Sequence, residues 1–66
     1  MKGANLGKAR LHDARLNRAN LEGANLQGAN LERAHLEGAH LDRANLQDAT
    51  LLLAILLEVH LVESNR

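Results

Sequence analysis

The five-residue period of alanine and leucine constrains this chain more than any other feature. Alanine recurs at every fifth position from Ala4 to Ala54, and leucine follows two residues later from Leu6 to Leu56 and again at Leu61. The repeating unit reads Ala-Asn-Leu-x-x, with Asn the commonest residue between the two apolar ones. Any fold for this chain must place that period on one continuous apolar surface.

A period of five suits neither an α-helix nor a flat strand. Five residues advance an α-helix by about 500°, so successive leucines would point all around its axis. Side chains on a strand alternate between two faces, so each leucine would face away from the one before it. Within one unit, however, alanine and leucine are two residues apart and lie on the same side of an extended segment. The period therefore predicts short extended segments separated by bends in the same sense.

The two residues that close each unit are the predicted bends. From residue 22 to 48 they read EG, QG, ER, EG, DR and QD. Gly23, Gly28 and Gly38 occupy the second bend position, where a turn needs backbone freedom that a Cβ hinders. A bend in every unit would coil the chain so that it stacks on itself and keeps the Ala-Leu pairs inside.

These units resemble the repeats of the pentapeptide-repeat proteins. ANLEG, ANLQG, ANLER, AHLEG, AHLDR and ANLQD are similar to the A-(D/N)-L-x-x unit of that family, and the match runs from Ala4 to about Leu56. The resemblance implies an all-β fold, a right-handed quadrilateral β-helix of about three coils, each coil taking about twenty residues. We expect a single domain over residues 1–66, with repeats over about 4–58 and an apolar C-terminal segment over about 49–63.

A coil of about twenty residues predicts which side chains stack, because adding twenty to a position gives its neighbour one strand spacing away, roughly 4.7–4.9 Å. The predicted inner columns are Leu6, Leu26 and Leu46; Leu11, Leu31 and Leu51; Leu16, Leu36 and Leu56; and Leu21, Leu41 and Leu61. On the outside, the same rule places Asp13 beside Arg33. It also groups Asn5, Asn25 and Asn45 in a column that we expect to form an amide ladder.

The C-terminal segment ATLLLAILLEVHLV, residues 49–62, contains the longest apolar run. That run, Leu51 to Leu57, is far shorter than the about 20 residues that a membrane-spanning helix needs. Because the five-residue phase continues through it, we predict a last β-coil, with a short capping helix over about 50–63 as the alternative, since Leu, Ala and Glu favour helices. Its apolar residues predict an oligomer interface made of Leu52, Leu53, Ile55, Leu57, Val59 and Val62.

Histidines are the only residues that suggest a metal site. His40 and His60 are twenty residues apart, so they are predicted to stack on one outer column, where two imidazoles could share a zinc or copper ion. The ligand set is incomplete, because only Glu58 lies near in sequence and the repeat requires no further ligand. We predict surface histidines in place of Asn, with no metal and no cofactor.

Several function classes lack the residues that they need. Ser64 is the chain's only serine, and the sequence has no Gly-rich phosphate loop, nucleophile elbow or spaced carboxylate pair, so we predict that it is not an enzyme. Without Phe, Tyr or Trp it also has few of the anchors that are usual at binding hot spots. The basic group Lys8, Arg10, Arg15 and Arg18 has no element suited to enter a DNA groove, so we expect no nucleic-acid partner. The first ten residues contain no apolar run, which predicts a cytoplasmic protein rather than a secreted one.

The sequence predicts a structural or protein-interaction module that self-associates as a homodimer through its apolar C-terminal coil and can bind a further, unidentified protein. The resemblance implies the same, since pentapeptide-repeat proteins often dimerise by their C-terminal ends. It also implies an alternative, because some members mimic duplex DNA and bind DNA gyrase or other type II topoisomerases; this chain differs in its formal net charge of zero. A second alternative is a truncated or engineered solenoid without activity of its own.

Overall fold

Parallel bridges between residues twenty positions apart organise the chain. The computed structural model describes residues 2–64, and over this range it has no helix and no strand longer than a single-residue bridge. The bridges pair Asn5 with Asn25, Arg10 with Asn30, Arg15 with His35, Asn20 with His40, Asn25 with Asn45, Asn30 with Thr50, His35 with Ile55, and His40 with His60. The chain is therefore a β-solenoid. We call residues 2–21 the N-terminal layer, 22–44 the middle layer and 45–64 the C-terminal layer.

Each unit is joined to the unit in the next layer by three backbone hydrogen bonds. The Leu6 N–H donates to the Asn25 carbonyl at 2.7 Å, and the Lys8 N–H donates to the Gln27 carbonyl at 2.8 Å. In the opposite direction, the Asn25 N–H donates to the Ala4 carbonyl at 2.8 Å. Because the same pattern recurs from unit to unit, the register predicted by adding twenty is the register of the backbone.

A β-turn closes every unit. The Ala9 N–H donates to the Leu6 carbonyl at 3.0 Å, and the second bend residue between them, Lys8, has a φ of +58°. A positive φ at that position alone is typical of a type II turn. Glycine occupies it at Gly3, Gly23, Gly28 and Gly38, whereas other residues adopt it at Lys8, Asp13, Arg18, Arg33, Arg43, Asp48, Leu53, Glu58 and Glu63. The left-handed backbone predicted for three glycines is thus a property of the whole repeat.

The fully buried core runs from Leu21, the last residue of the N-terminal layer, through the middle layer to Leu46 at the start of the C-terminal layer. Its members are at most 3% exposed: Leu21, Ala24, Leu26, Ala29, Leu31, Ala34, Leu36, Ala39, Leu41, Ala44 and Leu46. The inward leucines nearer the two ends, Leu6, Leu11, Leu16, Leu51 and Leu61, are only partly buried, and Leu56 is 41% exposed. These end leucines point inward as the core leucines do, but within the described residues a layer covers them on one side only.

The C-terminal segment continues the solenoid, and the alternative of a capping helix is wrong. The backbone N–H groups of Thr50, Ile55 and His60 donate to carbonyls of the middle layer at 2.9–3.0 Å. A helix would break these bonds and would turn the Ala-Leu pairs of the segment away from the core. The tertiary register therefore overrides the helix propensity of the leucine-rich stretch.

The asparagines have a local role, and the predicted amide ladder is wrong. In all five Ala-Asn-Leu units, the Asn side-chain Oδ1 accepts the backbone N–H of the residue two positions later, at 3.0–3.2 Å. Asn5, for example, accepts from Gly7, and Asn25 accepts from Gln27. Each amide thus supports its own turn, as Asn side chains do in Asx-turns, rather than the amide above it.

Replacing Gly23 by alanine isolates the cost of the left-handed turn. Gly23 has a φ of +69°, and nothing lies within 4 Å of an added Cβ, so the penalty is one of backbone conformation alone. We expect Gly23→Ala to lower the free energy of unfolding by about 1–2 kcal/mol. Urea denaturation followed by far-UV circular dichroism would measure this.

Gly7→Ala is the matched control, because Gly7 is a first bend residue without a positive φ and its added Cβ would meet Asn5 Oδ1 at 3.5 Å, an ordinary contact. Its free energy of unfolding should stay unchanged or rise by about 0.4–1 kcal/mol, since alanine restricts the unfolded chain. Equal losses in the two variants would contradict the turn assignment.

Candidate interaction surface

An apolar rim surrounds the C-terminal layer. Leu53, Leu57, Val62 and Leu52 are 60–68% exposed, and Ile55 is 39% exposed. Twenty residues earlier, the same positions carry Arg33, Glu37, Asp42, Glu32 and His35. We call these five C-terminal side chains the apolar rim. Large apolar side chains thus face solvent on this layer, where the layer beneath carries charged residues or histidine.

Val59 lies apart from this rim, although it was predicted as part of the same interface. It is half-buried and packs against the core, because it occupies the inward position that alanine holds in the other units. Its contribution is to the interior of the C-terminal layer.

Every ion pair among residues 2–64 includes at least one side chain of the middle layer. The predicted pair is confirmed, since Arg33 Nε lies 3.0 Å from Asp13 Oδ1. The other pairs are Lys2 with Glu22 at 3.5 Å, Arg33 with Glu32 at 3.9 Å, His35 with Glu37 at 3.5 Å, and Arg43 with Glu22. All of them are solvent-accessible pairs, which contribute little to stability. The three that join residues 20 or 21 positions apart, Lys2–Glu22, Asp13–Arg33 and Glu22–Arg43, favour the observed register of stacking.

Charges of opposite sign remain outside these pairs on the two outer layers. Within the described residues, the cations that make no ion pair are Lys8, Arg10, Arg15 and Arg18, all in the N-terminal layer. The acidic residues of the C-terminal layer, Asp48, Glu58 and Glu63, likewise make none within residues 2–64. One end of the solenoid is therefore basic and the other acidic.

The two candidate metal ligands stack on one another. The rings of His40 and His60 have centroids 4.4 Å apart and planes inclined by 5°. An imidazole binds a metal through a lone pair in its own ring plane at about 2.0–2.1 Å, and two parallel planes share no such point. In this arrangement the rings cannot both bind one ion. Residues 2–64 also contain no group of three or more potential metal ligands.

Two further polar features are a surface groove and the Ser64 hydroxyl. The groove is lined by Gly7, Lys8, Asn25, Gln27, Gly28 and Asp48, none of which has a hydroxyl or thiol side chain. The Ser64 hydroxyl donates to the Leu41 carbonyl. Within residues 2–64, no helix has the length and apolarity needed to cross a bilayer.

A turn in every five residues, a parallel register of twenty residues and an inner Ala-Leu ladder define a class of β-solenoid repeat protein. The chain belongs to the pentapeptide repeat family, because the family model for pentapeptide repeats matches residues 1–33 and 19–56, with eight copies. None of the curated proteins matches the chain. The chain is, however, similar to solved structures of pentapeptide repeat proteins.

Two solved structures show the likeness. A pentapeptide repeat protein from the cyanobacterium Cyanothece 51142 is 46% identical, with a TM-score of 0.97 over 98% of this chain and 44% of its own. One from the thylakoid lumen of Arabidopsis thaliana is 27% identical, with a TM-score of 0.54 over 96% of this chain and 50% of its own. The chain thus spans about half the length of the structures it matches.

The Asp13–Arg33 pair makes the pKa of Asp13 lower in the folded chain than in the unfolded chain. The hydrogen bond from Arg33, together with its positive charge, holds the pKa of the Asp13 carboxyl below its ordinary value of 3.8. Since the unfolded chain then binds the proton more readily, the stability due to this pair is fully present above pH 3.8. It is lost as the pH falls through the lowered pKa of the folded chain.

An NMR titration of the side-chain carboxyl carbon measures the pKa of Asp13 directly. In Arg33→Gln that pKa should rise towards its ordinary value, whereas Arg43→Gln, which removes the cation paired with Glu22, should leave it lowered. An Asp13 pKa that is the same in all three proteins would show that Arg33 is not its cause.

Proposed function

We propose that this chain is a structural or protein-interaction module that self-associates through its C-terminal layer. The apolar rim carries the proposal, because five large aliphatic side chains stand there at positions that hold charged residues or histidine in the layer beneath. Membership of the pentapeptide repeat family supports the broader role. The expected cytoplasmic location stays a prediction.

Covering the rim would remove large apolar side chains from water and so contribute to association. Burying a leucine or valine side chain completely contributes about 1.5–3 kcal/mol, and four of the rim side chains are 60–68% exposed. Association costs about 4–15 kcal/mol in lost translational and rotational freedom, so the rim alone offsets only part of that cost. The partly exposed inward leucines Leu51, Leu56 and Leu61 add apolar area on the same layer.

The finer form of the solenoid is part of the same proposal. We propose a single domain over residues 1–66, of which residues 1, 65 and 66 lie outside the described range. Residues 2–64 would form a right-handed, four-sided β-helix of about three coils, each coil taking about twenty residues. The twenty-residue register and a turn in every five residues support the four-sided form, since four turns bring the chain back beneath its starting point.

The charge distribution argues against a mimic of duplex DNA that binds gyrase. Such a mimic needs an acidic surface, whereas this chain has a formal net charge of zero and its N-terminal layer has four cations that form no ion pair within residues 2–64. We therefore favour the interaction module.

Substitutions in the rim test self-association. Leu53→Glu and Ile55→Lys each put a charge where the proposal buries an apolar side chain, so each should reduce the molar mass in solution towards the 7.2 kDa of one chain. Size-exclusion chromatography with multi-angle light scattering over a concentration series measures this. Circular dichroism would show that the variants keep the fold of the wild-type protein.

Gln27→Glu is the control, because it introduces a charge at an exposed position of the middle layer. It should associate as the wild-type chain does. A wild-type chain that stays monomeric at high micromolar concentration would contradict the proposed self-association.

A further inference from the structure

The two ends of the solenoid differ in both hydrogen-bonding groups and charge. We propose that the C-terminal layer of one chain binds the N-terminal layer of a second copy, so that copies stack head to tail. This inference rests on the proposed self-association and names the surface that the apolar rim meets.

The first argument is the direction of the hydrogen bonds between layers. In each stacked pair of units, the earlier layer donates two N–H groups and accepts one, as Leu6, Lys8 and Ala4 show with the middle layer. The outer face of the C-terminal layer therefore presents two donors for each acceptor. The outer face of the N-terminal layer presents one donor for two acceptors, so the two faces are complementary.

On the outer faces of these two layers, the backbone groups at the donor and acceptor positions have no hydrogen-bond partner among the described residues. On the C-terminal layer, the backbone N–H groups at the leucine and second bend positions between residues 48 and 63 have no acceptor among the described residues: those of Asp48, Leu51, Leu53, Leu56, Glu58, Leu61 and Glu63. On the N-terminal layer, the carbonyls at the two acceptor positions, the residue between Ala and Leu and the first bend residue, have no donor among the described residues: those of Lys2, Asn5, Gly7, Arg10, His12, Arg15, Asn17 and Asn20. A parallel layer placed on the C-terminal face would supply the acceptors that it lacks, as in β-strand addition.

Two C-terminal faces would not match in this way. In a two-fold arrangement, each of the two C-terminal faces would present two N–H donors for every carbonyl acceptor. Some N–H groups of one face would then have no carbonyl of the other face to bind. Leaving a buried backbone donor unpaired costs about 1–3 kcal/mol. Hydrogen bonding therefore favours a second copy in the same orientation over one that is turned round.

The second argument is charge complementarity. The N-terminal layer has five basic residues against one acidic residue, a formal charge of +4, whereas the C-terminal layer has three acidic residues and no lysine or arginine, a formal charge of −3. The ion pairs among residues 2–64 leave Lys8, Arg10, Arg15 and Arg18 at one end, and all three acidic residues at the other, without partners. Head-to-tail stacking brings opposite charges together, whereas two C-terminal faces would bring like charges together.

The third argument is that stacking between the layers of this chain buries side chains that are exposed at its C-terminal end. Of the five first bend residues with a layer on each side, Glu22, Glu32, Glu37 and Asp42 are half-buried and Gln27 is exposed. Leu52, Leu57 and Val62 are all exposed at the corresponding place of the C-terminal layer. Inward leucines behave in the same way, since Leu36 is 0% exposed and Leu56, in the same column, is 41% exposed. A second copy would cover the open side of both sets.

Such an interface joins two different surfaces and does not close on itself. Each added copy presents the same free face again, so head-to-tail contacts produce open chains unless the rotation between copies closes a ring. The average mass should therefore rise steadily with concentration. It should also fall as salt is added, because exposed opposite charges are screened, whereas salt would strengthen a contact between two acidic faces.

Charge reversals on separate layers test the orientation. The first variant, Arg10→Glu/Arg15→Glu, reverses charges of the N-terminal layer, and the second, Asp48→Lys/Glu58→Lys, reverses charges of the C-terminal layer. Each variant alone should associate less than the wild-type chain, because the N-terminal layer of the first then has a formal charge of 0 and the C-terminal layer of the second one of +1. Its average mass in sedimentation equilibrium should fall towards the 7.2 kDa of one chain. An equimolar mixture should regain association, because the acidic C-terminal layer of the first then meets the basic N-terminal layer of the second.

Two further variants are a control for the net charge and a replacement for the first variant. Arg33→Glu/Arg43→Glu changes the net charge by the same amount as the first variant but on the middle layer, so it should associate as the wild-type chain does. Lys8→Glu/Arg18→Glu reverses a second pair on the N-terminal layer and replaces the first variant if circular dichroism shows that the first does not fold.

The outcomes separate this inference from the proposed function. Association of the N-terminal-layer variants at the wild-type level, or a mixture that stays monomeric, would overturn head-to-tail stacking. If Leu53→Glu still dissociated the chain in that case, self-association through the C-terminal layer would stand, with two C-terminal faces in contact. A monomeric wild-type chain would overturn both proposals.

Discussion

The backbone hydrogen bonds between residues about twenty positions apart are the interaction on which the rest of the structure depends. They hold the inner leucines in columns, and they bring Asp13 to Arg33 and His40 to His60. Within a unit, the backbone makes only the turn bond, so no unit is stable by itself. Stability is therefore shared between neighbouring layers, as is typical of solenoid proteins.

Sequence reasoning captured the features that depend on the period. The spacing of alanine and leucine excluded a helix and a flat strand, and the glycines at the second bend position indicated the left-handed turn that the structure has at every unit. The family resemblance supplied the number of residues in a coil, and that number then predicted the Asp13–Arg33 pair. These features follow from position in the repeat, which a sequence displays directly.

The features that sequence reasoning missed depend on local geometry or on the sum of contacts. The Asn5 side chain reaches its own turn rather than the amide twenty residues on, and only the backbone conformation decides between these partners. The capping helix remained open because leucine and alanine suit both structures until the register of Thr50 is known. The segregation of unpaired charges emerged only once the middle layer was seen to pair with Lys2 and Asp13.

The similarity of the inner columns has a consequence for how such a chain can change its length. Because every unit presents the same Ala-Leu pair to the interior, insertion of one whole unit between two layers would leave the interior packed as before. On the outside, however, Asp13 would then face Gly28 instead of Arg33, and deletion of one unit would bring it to Gly38. The core thus tolerates a shift in register by whole units, and only the contacts between outward side chains would distinguish one register from another.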